Sequence, residues 1–283
     1  MNKTAGVVDV LPAAPASERM HASALLTLFW LTLRQQCRAR RLLILCVLFC
    51  LPIGIAVLAR SLNPASSELQ SDLEFGLIFG FIAHALVPLT ALLYASGMIQ
   101  DDIEEQTLTY LMVRPLPKPA IYLTKLTATI VLTVLIAGVF VVATYVAIDV
   151  GRPEFWGEVF PGRALKVACL LGLSLVSYCA LFGLVGLLFR RTLFFGVIYI
   201  AVFEGALASM DFIVRRLTIM YYFRVLVERW TKLKPSEWSI SLSDAPGAQA
   251  CVAVIVAVAV AASAIAVLIF ATREFRVKTP EGN

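Results

Sequence analysis

The sequence is poor in charged residues and in the residue types that form catalytic or metal sites. Only 15% of its 283 residues are Asp, Glu, Lys or Arg, and only two are histidines. No GxxxxGK[ST] phosphate-binding loop is present, which argues against ATP binding by this chain in that manner. GxSxG, HExxH and paired Cys/His spacings are also absent. We therefore expect no catalytic residue, no metal site and no cofactor in this chain.

The cysteines and the net charge are equally uninformative about chemistry. The six cysteines (37, 46, 50, 169, 179 and 251) lie mostly within apolar runs, and their spacings match no disulfide framework or metal site. We interpret them as small core residues. The formal charge of +5 is modest. In apolar chains, Lys and Arg near segment ends report membrane topology first, so we expect no nucleic-acid partner.

Long apolar runs are what the sequence does contain. Hydrophobic residues make up 60% of the chain, and they are concentrated in runs of about 20 residues, the length that crosses a hydrocarbon core of about 30 Å. This pattern predicts an all-α, polytopic membrane protein with a transmembrane domain at 42–271. Its six expected spans are about 42–59, 76–99, 121–148, 164–189, 193–213 and 249–271.

The flanks of this domain predict its orientation. We expect a flexible tail at 1–20, an amphipathic interfacial helix at 21–41 with Trp30 at headgroup level, and a C-terminal tail at 272–283. Six spans place both termini on one side, which carries 14 of the 24 Lys and Arg residues. The positive-inside rule therefore predicts cytoplasmic termini in a cell membrane. The basic loop 214–248 does not fit this rule, because the predicted topology places it on the side opposite the termini. Alternatively, 214–234 re-enters the membrane or one span is miscounted.

The segment 96–125, SGMIQDDIEEQTLTYLMVRPLPKPAIYLTK, is the longest polar interruption between apolar runs in the first half of the chain. Apolar and small residues recur there at a period of 3.6 and predict one helical face. Acids occupy the expected first turn, and a basic residue followed by proline ends the pattern. We predict a short cytoplasmic docking helix, formed by Asp101, Asp102, Ile103, Glu104, Glu105, Thr107, Leu108, Leu111, Met112, Arg114 and Pro115.

The acidic cluster in this segment has two other interpretations. It is explained more simply as the solvated start of a helix. It also superficially resembles the aspartate-rich motif of membrane prenyltransferases, which bind diphosphate through Mg²⁺. That chemistry needs carboxylates that converge on the metal ions, usually from two such motifs, and this chain has one.

Two further polar residues lie within predicted spans. Glu204 lies in the apolar run YIAVFEGALASM, and an intramembrane carboxylate is costly enough to need a partner or a water-filled cavity. It is either a pathway or gating residue, together with Tyr199, or a structural residue hydrogen-bonded to Tyr199 or to the following loop. His84 is interpreted as a polar packing residue, because no second metal ligand is placed near it.

The run from Gln100 to Lys125 resembles the segment after the second span of ABC-2 type transporter permeases. The family typically has an acidic pair, a small residue, Thr-Leu, a hydrophobic pair, Arg-Pro, a basic residue and a Lys that opens span three. Here these fall on Glu104 and Glu105, Thr107 and Leu108, Leu111 and Met112, Arg114 and Pro115, Lys118, and Lys125. The departures are Gln106, where Gly is common, and the extra prolines Pro117 and Pro119. The N-terminal elbow, the six spans and the Tyr199–Glu204 pattern extend the resemblance over about 20–275.

The resemblance implies the permease subunit of an ABC exporter. Two permease copies, identical or related, would form the pathway, and two separate ATPase subunits would hold ATP and Mg²⁺. The 101–114 helix would be the coupling helix that docks on an ATPase. A channel or a secondary transporter without an ATPase stays open as an alternative, and a prenyltransferase-like membrane enzyme is disfavoured by the missing catalytic residues.

Overall fold

The computed structural model describes residues 16–38, 40–62, 71–104, 117–149, 160, 162–189, 191–206, 213–231, 238 and 245–272. Within these ranges every regular element is helical, and no strand is present. The first four helices are α1 (Ala16–Arg38), α2 (Arg40–Leu62), α3 (Glu74–Leu86 in wide π geometry, then Val87–Glu104) and α4 (Lys118–Asp149). They are followed by α5 (Leu165–Leu188), α6 (Thr192–Tyr199, then a π segment Ile200–Ala206), a 3₁₀ turn (Ile213–Leu217), α7 (Ile219–Thr231) and α8 (Ala248–Thr272).

Five helical stretches of the described residues are long and apolar enough to cross a membrane: Arg41–Leu62, Ser71–Asp102, Lys118–Asp149, Gly162–Leu188 and Ala248–Thr272. The stretch Thr192–Gly205 is apolar but shorter. The chain is therefore an all-α, multi-pass membrane protein. The predicted fifth span, 193–213, coincides with α6 as far as residue 206, and 207–212 lie outside the described residues.

The ends of the chain differ in part from the expected tails. Residues 16–20, expected in a flexible tail, belong to α1, which ends at Arg38. Residues 1–15 and 273–283 lie outside the described residues. The predicted first span, about 42–59, lies within α2, which contains Pro52 without ending there. Such a proline is tolerated in a membrane helix when neighbouring groups satisfy the freed backbone.

Helix α5 is the centre of the bundle, because α3, α4, α6, α7 and α8 all pack against it. Small residues allow the closest of these contacts. A Cβ atom on Gly186 would lie 3.0 Å from the Ser96 carbonyl oxygen of α3, so any larger residue there would push the two backbones apart. Close backbone approach through small residues is how helices associate where lipid removes the hydrophobic drive between them.

Three buried threonine hydroxyls within α4 are satisfied by their own helix. Thr129, Thr133 and Thr144 each donate to the carbonyl oxygen four residues earlier, at 2.8–2.9 Å. This bonding pattern lets buried threonines occupy an apolar span at little cost.

At the start of α4, the Pro117 carbonyl accepts the N–H of Ala120 at 3.0 Å, and Pro119 lies in the first turn, where its missing N–H costs nothing.

The end of α8, the last helix among the described residues, lies beside the start of α4. Lys118 Nζ, at the start of α4, donates to the Ala271 carbonyl oxygen near the end of α8 at 3.5 Å. The start of α4, the end of α3 and the end of α8 therefore share one end of the bundle. This is the end from which the 105–116 segment departs.

Candidate functional site

Two acid–base pairs hold the end of α3 against its neighbours, just before the predicted docking segment. Arg41 Nη2 donates to Asp101 Oδ1 at 2.8 Å, and Arg41 Nη1 donates to the Leu93 carbonyl oxygen at 3.3 Å. Both side chains of the pair are 37% exposed. Solvent screens a pair at this exposure, so it orients Arg41 more than it stabilises the fold.

The second pair is buried. Lys125 Nζ of α4 donates to Asp102 Oδ2, and the two side chains are only 3% and 4% exposed. Lys125 also donates to the Met98 carbonyl oxygen at 3.4 Å. A buried charge without its partner is strongly destabilising, so each residue depends on the other. The pair fixes the end of α3 to the first turns of α4.

Gly97 makes the position of Arg41 possible. A Cβ atom on Gly97 would lie 1.9 Å from Arg41 Nη1, so the guanidinium occupies the space that any other residue would fill. The Arg41 side chain thus crosses the surface of α3 at Gly97, where no side chain blocks it, and from there it reaches Asp101.

The structure differs from the sequence analysis in the placement of the first acids. Asp101 and Asp102 were predicted in the first turn of a separate helix, but they lie in the last turn of α3, which ends at Glu104. Negative charge at a helix C-terminus opposes the helix dipole. Arg41 and Lys125 offset this cost, and both are contributed by other helices.

The remaining predicted docking residues are only partly described. Ile103 and Glu104 belong to the last turn of α3. The other seven lie outside the described residues: Glu105, Thr107, Leu108, Leu111, Met112, Arg114 and Pro115. The pattern that predicts a docking helix there stays a prediction.

Glu204 is fully buried at the N-terminus of α7. Its Oε2 accepts the Met220 N–H at 3.1 Å, its Oε1 accepts the Tyr199 hydroxyl at 3.2 Å, and the Ile219 N–H also faces the carboxylate. Thr218 precedes α7 and accepts the Tyr221 N–H at 3.3 Å. Glu204 and Thr218 together cap the first N–H groups of α7, where negative charge is favoured.

Helix α7 carries a second polar group into the bundle. Arg224 is 8% exposed, and its Nη2 lies 3.0 Å from His84 Nδ1 on α3. Because a guanidinium only donates, Nδ1 is the acceptor here. Burial lowers the pKa of Arg224 and the nearby Glu204 carboxylate opposes this shift, but a guanidinium stays charged regardless. His84 is therefore a polar packing residue, as predicted from the sequence.

The pairing of Asp102 with Lys125 and of His84 with Arg224 was not predicted from the sequence, where Lys125 was only part of a family pattern. For Glu204, a hydrogen bond to Tyr199 or to the following loop was one of the two interpretations, and 214–234 was expected in a loop or, alternatively, in a re-entrant segment. In the structure, α7 packs against α5 and α8, and most of its side chains are buried. One sign of the buried ion pair was present in the sequence, because Lys125 is a single cation within an apolar run and so needs a partner.

The cysteines are less uniformly buried than expected, since Cys37, Cys50 and Cys169 are exposed in the isolated chain.

The described residues contain no group of three or more His, Cys, Asp or Glu side chains arranged to hold a metal ion. Asp101 and Asp102, at the end of α3, instead form salt bridges with cations on α2 and α4. For the described carboxylates, this arrangement gives no support to the diphosphate–Mg²⁺ interpretation.

Replacing Glu204 with Ala is expected to lower the free energy of unfolding by about 2–3 kcal/mol, because buried donors of α7 and Tyr199 lose their acceptor. Glu204→Gln keeps an acceptor oxygen and should lose less than half as much. Both values can be measured by chemical unfolding in mixed micelles. An Ala variant as stable as the wild type would contradict the capping role of Glu204.

Comparison with known proteins adds one match. A family model described as "ABC-2 family transporter protein" matches residues 35–206, which is more than half of the chain. The matched region runs from the end of α1 to the end of α6 and includes both acid–base pairs and Glu204. No curated protein matches this sequence.

Proposed function

Since this chain belongs to the ABC-2 family of transporter proteins, we propose that it is a permease subunit that forms a substrate pathway as a dimer and is driven by separate ATPase subunits. The family match carries this proposal, and the apolar helical bundle supports it. The permease is a membrane transport component and not itself an enzyme. ATP and Mg²⁺ would be held by the partner ATPase, and the direction of transport is proposed to be export.

The proposed topology has six spans. Five are the long apolar helices, and the fifth in chain order would be α6 with the residues that follow it up to 213. Helix α1 would lie in the membrane interface as an elbow, and both termini would be cytoplasmic. The end of α3, the start of α4 and the end of α8 would then lie at the cytoplasmic end, where the 105–116 segment could reach an ATPase.

The buried acid–base pair Asp102–Lys125 could transmit motion from the ATPase to the membrane spans. The 105–116 segment connects the end of α3 to the start of α4, and the buried Asp102–Lys125 pair fixes these two ends together. Displacement of the segment on ATP-driven closure would therefore move α3 and α4 as a unit. Rigid-body movement of packed helices is a common form of switching between two access states.

Glu204 and Tyr199 are still proposed as pathway or gating residues. Their contacts also support a structural role. Their hydrogen bond and the cap on α7 connect α6 to α7. If Glu204→Gln folds normally and transports no substrate, the charge itself serves the pathway. If it folds and transports as the wild type does, the residue serves only to hold α7 in place.

The test of the proposed function is purification of the full chain from its native membranes in mild detergent, with mass spectrometry of bound soluble proteins. We expect an ATPase with a phosphate-binding loop, at one copy per permease. A preparation that is folded and oligomeric but reproducibly free of any ATPase would contradict the proposal. That result would favour a channel or a secondary transporter.

A further inference from the structure

Two adjoining cavities lie between α1, α3 and α4, beside the acid–base pairs at the end of α3. Their volumes are about 210 Å³ and about 430 Å³. The larger volume lies within the range of small-ligand sites. Both cavities are lined by Thr32, Gln35, Arg38, Asp102 and Lys125.

The described residues that line these cavities carry an excess of positive charge. Four cations face them (Arg34, Arg38, Arg41 and Lys125), against the two carboxylates of Asp101 and Asp102. Arg41 and Lys125 pair with those carboxylates. Within the described ranges, neither Arg34 nor Arg38 has an acidic partner. Arg34 and Arg38 are thus two exposed cations of α1 at the cavity mouth that can attract an anion.

Two buried polar atoms at the smaller cavity have no hydrogen-bond partner among the described residues. Tyr94 lines that cavity and is 2% exposed, and its hydroxyl is unpaired. Gln36 also lines it; its Nε2 donates to Thr129 Oγ1 at 2.7 Å, but its Oε1 is unpaired. An unsatisfied buried polar group is costly, so each such group calls for a partner. The hydroxyl can donate to an anionic oxygen, and the amide oxygen can accept from a hydroxyl.

The larger cavity has an apolar side. Leu28 and Leu31 of α1 line it next to the arginines, and Leu31 is 58% exposed. A free phosphate ion gains nothing from such a surface. A phosphate that carries acyl chains does, because burying methylene groups against an apolar surface is favourable.

We propose that this cavity pair, between α1 and the end of α3, binds the head group of an anionic phospholipid. The phosphate lies against Arg34, Arg38 and the Tyr94 hydroxyl. A head-group hydroxyl reaches Gln36 Oε1, which favours phosphatidylglycerol over a head group without hydroxyls. The acyl chains leave along Leu28 and Leu31. The site adjoins both acid–base pairs but uses neither of their carboxylates.

The proposal is tested by native mass spectrometry of the full chain in detergent, titrated with phosphatidylglycerol and, separately, with phosphatidylcholine. We expect tighter binding of phosphatidylglycerol. The Arg34→Gln/Arg38→Gln variant should weaken that binding at least tenfold, because hydrogen bonds to a charged group are among the strongest. The control variant Lys166→Gln/Arg191→Gln removes the same charge from two exposed positions and should bind as the wild type does.

A second variant distinguishes a loss of lipid binding from a loss of stability. Tyr94→Phe removes only the unpaired hydroxyl, so the fold should be retained, as checked by its melting temperature, while phosphatidylglycerol binding falls severalfold. Unchanged lipid binding in both site variants would overturn the proposal. Displacement of the lipid by inorganic phosphate at a similar concentration would overturn the lipid assignment. The readout is lipid binding and is independent of transport and of ATPase association.

Discussion

Asp102→Ala is expected to destabilise the permease by about 3–5 kcal/mol, the typical cost of removing one partner of a buried ion pair. The variant would leave the Lys125 ammonium in a site where only 3% of its side chain is exposed. The remaining contact of Lys125 with the Met98 carbonyl oxygen, at 3.4 Å, does not neutralise the charge. Lys125→Ala should cost a similar amount, because it leaves the Asp102 carboxylate at the C-terminal end of α3, where the helix dipole disfavours it.

A double-mutant cycle tests this pair directly. Asp102→Leu/Lys125→Met replaces both charges with apolar side chains, and we expect it to recover most of the loss, because a buried pair can often be exchanged for hydrophobic residues without a net cost. The measurement is chemical unfolding in mixed micelles for the wild type, Asp102→Leu, Lys125→Met and the double variant. Single variants within about 1 kcal/mol of the wild type would contradict a buried, mutually dependent pair.

The exposed pair offers a matched comparison at the same end of the bundle. Arg41 and Asp101 are each 37% exposed, so Asp101→Ala should cost far less than Asp102→Ala. If Asp101→Ala and Asp102→Ala lowered the free energy of unfolding equally, burial would not determine how much each aspartate contributes to stability. The comparison holds sequence context almost constant, since the two residues are adjacent in α3.

Replacing Leu108 or Leu111 with Asp is expected to abolish association with the ATPase. These leucines form the predicted apolar face of the coupling helix, and a small docking element concentrates its binding energy in a few such anchors, each contributing about 2 kcal/mol or more. A loss of that size weakens binding by about thirtyfold or more. Co-purification of the ATPase and the permease-stimulated rate of ATP hydrolysis both report the loss.

The control for this prediction is Val277→Asp, which introduces the same charge in the C-terminal segment. It should retain the ATPase, and all variants should insert and fold as the wild type does. Normal ATPase binding by both leucine variants would remove the coupling-helix assignment while leaving family membership intact. Loss of binding in the control as well would show that the added charge, and not the apolar face, is responsible.

The sequence by itself determined the helical, multi-pass character of this protein, because apolar runs of membrane-crossing length leave the backbone few other ways to satisfy its hydrogen bonds. It also determined the family, through the local pattern that follows the second span. All of these features depend on residues close together in the chain.

Only the tertiary structure decided which charged and polar groups meet. Asp102 and Lys125 are 23 positions apart, Arg41 and Asp101 are 60 apart, and His84 and Arg224 are 140 apart. Periodicity along one helix cannot specify these partners, since they depend on which faces of different helices pack together. Glu204 is an intermediate case: its bond to Tyr199, five residues away, was one of the sequence-based interpretations, whereas its position at the N-terminus of α7 required the tertiary structure. Asp101 and Asp102, predicted in the first turn of a new helix, lie in the last turn of α3, where cations from α2 and α4 pair with them.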